Sequence, residues 1–582
     1  EVFVSGKVNM DTKGVTLDDV EGIARFSDIN LSYEGRNVYV DNFFFQSLFT
    51  DDSRLVSLNS DYLVAGISGK FKVKDLIEDV ETLSKQYWAI LTNSQQPQFT
   101  KNELEFEPYN IDINLNFIDI NPIINLVEPK ASISKNTIIE GAFYQTPTNT
   151  IFNFYSSIDS IYYNGNFLFD TNLDFNTSKL TNSQEVLASF YILSKQQVLG
   201  NGLTFNNLGI EAIWDKSKID LTYNQDQLST ESYFNLSSEI QIFPDHTSVV
   251  LAPSELKILD KIWNFDGENQ INIANNKIEF DNIKLINENQ FISLNGNISP
   301  DPEQILALQI KDVNMDFFNT LSIKEFEGTA NGLFAFSNLF EVVGINGNLN
   351  ITDFEINNFL VGNIDASTYL SDNKINLELN NFREEKKVIS LNGFLNNQNE
   401  ELSLKAEMRD ANLSILEPFL SDYLTQMGGT INGDLDISGS ITAPNVIGSG
   451  RINGGTLKIN YLNTFYTIDG NIVFGSNEIS FRELLLKDIN GNIARMRGGI
   501  SHDNFNDFIL DISSNLENFQ VLNTSARDNE LFYGSAYVTG TLNIFGAANN
   551  LDINARATSQ PNTRIFIPFG SSNIQAQEDF IN

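Results

Sequence analysis

The residues that could carry out chemistry are few in this sequence and lie far apart. Its two histidines, His246 and His502, lie in different halves of the chain, and there is no cysteine. Thiolates and imidazoles are common ligands of zinc and common nucleophiles or bases in hydrolases. A cysteine-based metal site, a cysteine nucleophile and a disulfide framework are therefore excluded. We expect both histidines to lie at the surface and expect no metal site.

Three short patterns resemble catalytic or nucleotide-binding sequences, but each lacks the surroundings that its chemistry needs. SISK at residues 132–135 has the spacing of an acyl-enzyme serine and lysine, yet its flanks are typical of a loop or strand instead of a helix start. GSGRING at residues 448–454 lacks the glycine spacing of a dinucleotide-binding loop. Acidic pairs such as Asp51 with Asp52 lie in polar loops, where solvated charge is expected. The sequence therefore predicts a protein that is not an enzyme and has no cofactor.

The pattern that dominates the chain is a group of short strands that occurs three times. Its clearest copy spans residues 265–299, and related copies span residues 364–396 and 468–501. Apolar side chains alternate with polar ones in each copy, which predicts strands with one apolar face. The copies begin about 100 residues apart, so they predict a repeat architecture. Each copy has a turn asparagine followed by a glycine about 20 residues later, at Asn276 and Gly296, Asn373 and Gly393, and Asn477 and Gly498.

A second pattern recurs between these strand groups. A strand ends in Asp or Asn and leads into a short apolar helix at residues 309–318 and 407–416, and in a weaker form at residues 515–522. Asn121 with Pro122 gives the same pattern earlier in the chain, since proline is tolerated at the first helical position.

Two longer helices are also predicted. Residues 75–92 place Leu76, Leu83 and Tyr87 on one face at helical spacing, and we expect this helix to pack on the sheet and not on a membrane surface. Residues 183–198 favour a helix that ends at Gly200, although their β-branched and aromatic content would tolerate a strand.

Composition limits the partners of the chain. It carries 37 basic and 75 acidic residues, a net charge of −38, and 41% hydrophobic residues. Such acidity would be repelled by nucleic acid and by anionic lipid headgroups, so no nucleic-acid partner is expected. No stretch reaches the roughly 18 to 20 apolar residues of a membrane-spanning helix. The chain begins at Glu1 without a signal-like segment, so we expect any membrane anchor to lie outside it.

Together these patterns predict a mostly β fold, an elongated, repeat-built trough of many antiparallel-type strands with an apolar groove and few short helices. We divide the chain into an N-terminal β-segment with the helix (1–108), a second β-segment (109–260), repeats of one continuous groove (261–546) and a C-terminal β-segment or tail (547–582). An apolar sheet face that stays exposed to water would cause aggregation. We therefore expect this face to pack against another part of the chain, against another protein or against a bound cargo. The predicted lining of the groove is Ile278, Phe280, Leu349, Ile351, Leu377, Leu379, Leu435, Ile437, Ile479, Phe481, Leu542 and Ile544.

Three stretches of the chain resemble a known family. Residues 243–299, 433–459 and 534–546 are similar to TamB, the translocation and assembly module family of the AsmA-like bridge-like lipid transfer superfamily, in the form found in Bacteroidota-type Gram-negative bacteria. The resemblance is best over residues 216–546, with Trp263 before the first strand group. Its pattern L-x-I-x-G…P…G…G is formed by Leu435, Ile437, Gly439, Pro444, Gly448 and Gly454.

The resemblance implies a periplasmic bridge between two membranes. Members of the family have an inner-membrane helix, a long β-taco with an apolar groove, and a C-terminal end that meets a TamA-like outer-membrane barrel of the BamA superfamily. They are associated with phospholipid movement to the outer membrane and with outer-membrane protein assembly and secretion. For this chain we expect a periplasmic location, with neither the anchor nor a complete C-terminal domain inside the sequence.

The leading functional hypothesis is a conduit whose groove accepts phospholipid acyl chains. Burial of each CH₂ stabilises by about 0.8 kcal/mol, so a lipid with two chains would be held firmly yet could slide between similar positions. One alternative is a docking platform or chaperone that offers its sheet edge to nascent outer-membrane proteins. Another is a surface adhesin or carbohydrate-active β-solenoid, although solenoid coils take about 20 to 30 residues.

Overall fold

Antiparallel strands make up most of the protein. The computed structural model describes residues 2–50, 53–92, 107–181, 183, 185–200, 202–340, 343–396, 399–529, 531–547 and 550–568. Within these residues there are 36 strands and a few short helices, and the strand pairings are antiparallel. The prediction of a mostly β fold with many antiparallel strands and few short helices is confirmed.

The chain divides into two compact units. Unit 1 comprises Glu1–Val313 with Phe317–Ile323, and unit 2 comprises Asn314–Asp316 with Lys324–Asn582. The division falls inside the segment 261–546, which the sequence analysis treats as one continuous groove. The four predicted segment boundaries stay a prediction.

In unit 1 each strand pairs mostly with its neighbour in sequence, with short crossovers around β7 and β15–β18. Its strands are β1 Val2–Lys13, β2 Glu21–Tyr33, β3 Arg36–Thr50, β4 Ser53–Ser60, β5 Val64–Lys70, β6 Tyr109–Phe117, β7 Ala131–Ile133, β8 Thr137–Gln145, β9 Asn149–Tyr163, β10 Asn166–Leu180, β11 Val186–Val198, β12 Thr204–Asp215, β13 Lys218–Gln227, β14 Ser232–Ile242, β15 Thr247–Leu251, β16 Glu255–Ile258, β17 Lys261–Phe265, β18 Gln270–Ala274, β19 Lys277–Asn287, β20 Gln290–Ile298 and β21 Ile305–Asn314.

Unit 2 is a meander, in which successive strands pair up to β34 and both β35 and β36 pair with β34. Its strands are β22 Phe326–Ser337, β23 Gly344–Ile356, β24 Phe359–Ser371, β25 Lys374–Arg383, β26 Lys386–Asn396, β27 Glu401–Asn412, β28 Leu424–Ser440, β29 Pro444–Ile459, β30 Thr464–Gly475, β31 Glu478–Lys487, β32 Ile493–Asp503, β33 Asn506–Thr524, β34 Tyr533–Ala547, β35 Asn550–Ser559 and β36 Arg564–Phe566.

Helices lie at a few strand ends. They are α1 Val73–Leu91, α2 Asn121–Val127, a 3-10 helix at Met315–Leu321, a 3-10 helix at Leu413–Leu416 and α3 Glu417–Leu420. The helix predicted at 75–92 is α1. The strand-to-helix pattern is confirmed after Asn121, Asn314 and Asn412, where the Asn412 side chain caps the helix by accepting a hydrogen bond from the Ser414 backbone N–H.

Two helix predictions are wrong. Residues 183–198 contain β11 instead of a helix, because Val186 and Ala188 are buried while Leu187 is exposed, which is the alternation of a strand paired on both sides. Residues 515–522 belong to β33. Their departure from strict alternation appears in the structure as register shifts against β34 instead of a helical turn.

Glycines in the repeats allow neighbouring strands to approach closely. Gly393 and Gly498 have φ values of +153° and +132°, and a Cβ atom on either residue would lie 2.0 Å from the carbonyl oxygen of the facing strand. The left-handed region penalises every residue with a side chain. The repeated glycine is therefore required by the backbone of the sheet.

Candidate functional site

Unit 2 carries a continuous apolar row across its strands. Directly paired residues in an antiparallel sheet project from the same face, so register identifies the side chains that share a surface. One row crosses every strand from β22 to β35 and contains only apolar side chains and glycines. Its members are Gly332, Leu349, Ala366, Leu379, Leu391, Ala406, Leu435, Gly448, Phe474, Ile479, Ile500, Leu510, Gly546 and Leu551.

The ten predicted lining residues of unit 2 lie on this one face. Four of them belong to the row itself, and the others lie two or four residues from it on the same strand, a spacing that keeps a side chain on the same face. Ile351 and Phe481 are buried, whereas the other eight are half-buried. On β28 the opposite face is polar, since Asp434, Asp436 and Ser438, which alternate with Leu435 and Ile437, are exposed. Whether these residues contact a ligand stays a prediction.

Between β30 and β33 the sheet packs on itself and closes one end of this apolar face. Tyr466 on β30 stacks on Phe519 of β33 with ring centroids 4.9 Å apart, and its hydroxyl donates to the Gln520 carbonyl oxygen at 2.8 Å. Burial raises the pKa of Tyr466 to about 12. Because two strands separate β30 from β33, the sheet of unit 2 must curve. Phe481 belongs to this closed cluster, and Leu542 and Ile544 pack against it.

The apolar face of unit 1 has the same construction. A row of directly paired residues, which we call the covered row, runs from β6 to β21. The predicted lining residue Phe280 belongs to it, and the predicted lining residue Ile278 lies two residues from Phe280 on the same strand. The members of the covered row are Ile111, Phe143, Phe152, Thr177, Ala188, Trp214, Ile219, Ile240, Val249, Ile271, Phe280, Gly296 and Leu306.

Helix α1 packs on the covered row. Leu83 forms a cluster with Ile111 and Phe143, which are 1% and 2% exposed, and Ile90 packs with Trp214. Two hydrogen bonds fix the helix, from the Tyr109 hydroxyl to Asp79 Oδ2 at 2.8 Å and between the hydroxyls of Tyr87 and Thr177. Burial and the nearby Asp79 carboxylate raise the pKa of Tyr109 far above its usual range. The sequence predicted that this helix packs on the sheet, and the contacts agree.

A buried lysine interrupts the apolar character next to the covered row. Lys179 is 1% exposed, and its ammonium donates to the carbonyl oxygens of Leu180 and Ser183 at 3.2 and 2.5 Å. Its strand neighbours Thr150 and Val186 are also buried. Desolvation lowers the pKa of Lys179 to about 8. Sequence reasoning missed this residue because a lysine in an alternating strand is ordinarily placed on the wet face.

Lys179 should make stability depend on pH in alkaline solution. Its pKa is about 8 in the folded chain and 10.5 when unfolded, so the unfolded chain binds more protons between these values. The free energy of unfolding should therefore rise from pH 8 to pH 10.5, by about 1 to 2 kcal/mol after allowance for nearby solvent.

Urea unfolding of the natural chain and of Lys179→Met across this pH range would measure the effect as a difference. Because both proteins contain the same tyrosines, the difference between their free energies of unfolding removes the tyrosines' contribution. Equal pH dependence in the two proteins would contradict the assignment.

Each histidine stacks on a phenylalanine of its own strand end. His246 is half-buried, stacks on Phe243 at 4.6 Å and pairs with Asp245. His502 is only 5% exposed and stacks on Phe505 at 4.3 Å, so the prediction of a surface histidine is wrong there, because the loop that follows β32 folds back over the ring. Among the described residues there is no group of three or more potential metal ligands.

The other motifs lie in ordinary structural positions. Ser132 is inside β7 and Lys135 pairs with Asp119 at 2.7 Å, so the SISK serine does not begin a helix. GSGRING forms the middle of β29. The pair Asp51 and Asp52 and the residues 569–582 of the predicted C-terminal segment lie outside the described residues.

Across the part of the chain that the structure describes, every helix is too short or too polar to cross a bilayer. No curated protein matches the chain. Residues 482–582 match the family model of the TamB C-terminal domain.

This match overlaps the resemblance predicted over residues 216–546 only in residues 482–546. It continues to residue 582, although the sequence analysis did not expect a complete C-terminal domain in the chain. It supports a role in the translocation and assembly module of the bacterial envelope. The C-terminal part of the chain, residues 482–582, is thus similar to the TamB family that the sequence analysis identified.

Proposed function

We propose that the apolar face of this protein conducts phospholipids through the periplasm toward the outer membrane by holding their acyl chains. The observation that carries the proposal is the row of apolar residues and glycines that crosses unit 2 from β22 to β35 without a charged side chain. An uncharged surface of this length suits an uncharged, extended occupant. The polar headgroup would remain in water at the rim.

Partial exposure distinguishes the part of this face on β25 and β28 from an ordinary core. Leu379, Leu435 and Ile437 are half-buried, so their side chains keep surface that an acyl chain could cover. Each CH₂ that leaves water stabilises by about 0.8 kcal/mol. Neighbouring strands are about 4.8 Å apart and present similar side chains, so a bound chain would meet a similar site at each step. Similar sites in series allow movement along the sheet without a deep trap.

The resemblance to the family suggests the partners and the location of the protein. A TamA-like barrel of the BamA superfamily is the proposed partner in the outer membrane, and an anchor outside this chain is proposed to hold the protein at the inner membrane of a Gram-negative bacterium. The match at residues 482–582 supports this proposal, because these residues of unit 2 are similar to the C-terminal domain of the family.

Site-specific photo-crosslinking tests the proposal. A photoreactive phenylalanine analogue at Leu379 should form adducts with phospholipid in Gram-negative cells, and the same group at Glu378, which is exposed on the opposite face, should not. Equal lipid yields at both positions would contradict a defined path. Adducts with nascent outer-membrane proteins at Leu379, without lipid, would favour the docking platform instead.

The docking platform also has an observation in its favour. Among the described residues β1 pairs with β2 alone, and its Phe3, Val4 and Met10 side chains are exposed. A strand with a free edge and apolar side chains can accept another strand. Crosslinking from Val4 would test this function, with adducts to outer-membrane proteins as the supporting result.

A further inference from the structure

A row of mainly small and polar residues crosses the face of unit 1 that lies opposite the covered row. Alternate residues of a strand project from opposite faces of a sheet, so this row faces away from helix α1. Its two apolar side chains, Ile138 and Leu193, are 46% and 54% exposed. We call it the outer row, and its members, each paired directly with the next, are Ile138, Ser157, Asn172, Leu193, Gly209 and Asn224.

Two depressions lie over the outer row and meet at Ser157. The larger has a volume of about 480 Å³ and is lined by the outer row from Ser157 to Asn224. The smaller has a volume of about 260 Å³ and is lined by Ile138 and Ser157 of the outer row together with Glu140 and Tyr155. Sites for small molecules commonly have volumes of roughly 300 to 1,000 Å³. The two depressions together therefore have the size of a site for a small ligand.

Gly209 leaves open the space of the larger depression. A Cβ atom added to this glycine would lie 3.7 Å from Leu193 Cδ2 and 3.8 Å from Asn224 Nδ2, which are ordinary contact distances. Its φ angle also lies outside the left-handed region, in contrast to that of Gly498. The backbone therefore does not require a glycine at position 209, and a larger side chain there would fill the depression.

Four polar side chains on the successive strands β9 to β12 form one border of the larger depression. They are Asp159, Asp170, Lys195 and Asn207. The Lys195 ammonium pairs with Asp170 at 3.1 Å, and the Asn207 amide donates to Asp226 Oδ2 at 2.7 Å. The exposed carboxylate of Asp159 forms no such contact among the described residues, so it is available to accept hydrogen bonds from a ligand.

Tyr155 provides an aromatic surface beside the two depressions. It is 48% exposed, and its hydroxyl donates to Asn172 Oδ1 at 3.4 Å. Tyr191 on β11 is aligned with Tyr155 through Asp174 of β10. The two tyrosines are thus two strands apart, about 10 Å, on the same face of the sheet. Aromatic side chains combine a large apolar surface with a polar group, and the C–H face of a pyranose ring packs on such a surface.

We propose that the two depressions over the outer row bind a neutral oligosaccharide. Amides and hydroxyls, such as those of Asn172, Asn224 and Ser157, both donate and accept hydrogen bonds. Sugar hydroxyls do the same, whereas a cation would need acceptors alone. The exposed carboxylates of Glu140 and Asp159 would repel an anion, and a hydrocarbon would leave the amides unpaired. This site lies on the opposite face from the one proposed for phospholipid, so it does not depend on that function.

Saturation-transfer difference NMR on the natural chain tests the proposal. The probes are maltotriose and triacetylchitotriose, two neutral trisaccharides that differ in linkage and in their acetamido groups. We expect transfer of saturation from the protein to the ring protons of at least one of them. Spermidine is the cationic comparison, because the border of the larger depression carries carboxylates.

Two variants and one control locate the binding. Gly209→Val fills the larger depression with a side chain that suits a strand, and Asn224→Leu removes an exposed amide at nearly constant volume. Each should weaken the binding of the trisaccharide at least about fivefold. Ser189→Val changes the same face of β11 outside both depressions and should leave the binding unchanged. Far-ultraviolet circular dichroism would confirm that the three variants fold.

Loss of binding in both site variants, with binding retained in Ser189→Val, supports the proposal. Natural affinity in either Gly209→Val or Asn224→Leu would overturn it, and so would equal weakening in Ser189→Val. Saturation transfer to neither trisaccharide would also overturn it. Transfer to spermidine alone would overturn the choice of ligand in favour of a cation.

Discussion

Replacing Ile437 by aspartate should reduce the phospholipid that co-purifies with the protein at least tenfold while the chain remains folded. Ile437 is half-buried on β28 and pairs with Leu404 and Val446, so its substituent would project among apolar neighbours. An ionised carboxylate against hydrocarbon costs far more than the roughly 1.4 kcal/mol that corresponds to tenfold in binding. Native mass spectrometry would count the bound lipids.

The neighbouring residue provides the control for this prediction. Ser438 is exposed on the opposite face, so Ser438→Asp adds the same charge one residue away without touching the apolar row. We expect it to keep the lipid content of the natural protein. Because the site is only half-buried, Ile437→Asp should lower the free energy of unfolding by about 1 to 2 kcal/mol. If Ile437→Asp unfolds the chain while Ser438→Asp does not, the face is a sealed core and the conduit is refuted.

Replacing Gly498 by alanine should destabilise unit 2 by at least about 3 kcal/mol, since strain from an unsuitable backbone and steric overlap add. The new Cβ atom would lie 2.0 Å from the Asp511 carbonyl oxygen and 3.0 Å from Ile512 Cα, at a φ of +132°. Both neighbours are backbone atoms of β33, so no side-chain rotation can relieve the overlap. Hydrogen exchange in β31–β33 should accelerate before the strands of unit 1 respond.

Gly475→Ala is the matched variant for this substitution. It lies on β30, and its added Cβ would meet nothing nearer than the Glu478 carbonyl oxygen at 3.6 Å, an ordinary contact. Its effect should stay within about 0.5 kcal/mol. An equally small effect of Gly498→Ala would show that β32 and β33 can separate, and that the close approach of these strands does not hold the sheet together.

Alternation alone predicts which residues of one strand share a face, but it does not predict the register between neighbouring strands. Leu349, Leu379 and Leu435 each follow a period of two, which assigns them to an apolar face. That they share one row depends on the register of five intervening pairings, including the shift beside Met408 and Ala411. Register shifts arise where backbone with positive φ inserts an extra residue, as at Asp410. A single sequence does not reveal which asparagine, aspartate or glycine will do so.

The errors at β11 and His502 have a related cause. Val186, Leu187, Phe190 and Tyr191 fit both a helical stripe and a two-sided strand. The strand is selected by pairing with β10 on one side and β12 on the other, which the local pattern does not reveal. His502 is buried by Phe505 and Phe508 beyond the hairpin turn, a contact that depends on the path of that turn. The position of α1 on Ile111 and Trp214 likewise joins segments that are separated in the chain.

The meander of unit 2 makes its length adjustable in steps of two strands. Every pairing from β22 to β34 is between consecutive strands, so excision of one whole hairpin, such as β24 with β25, would bring together two edges of unchanged direction. Loss of a single strand would join edges that run the same way and would break the antiparallel order. Duplication or loss of hairpins is thus a simple evolutionary route by which the number of strands in such a sheet could change without a break in its antiparallel order.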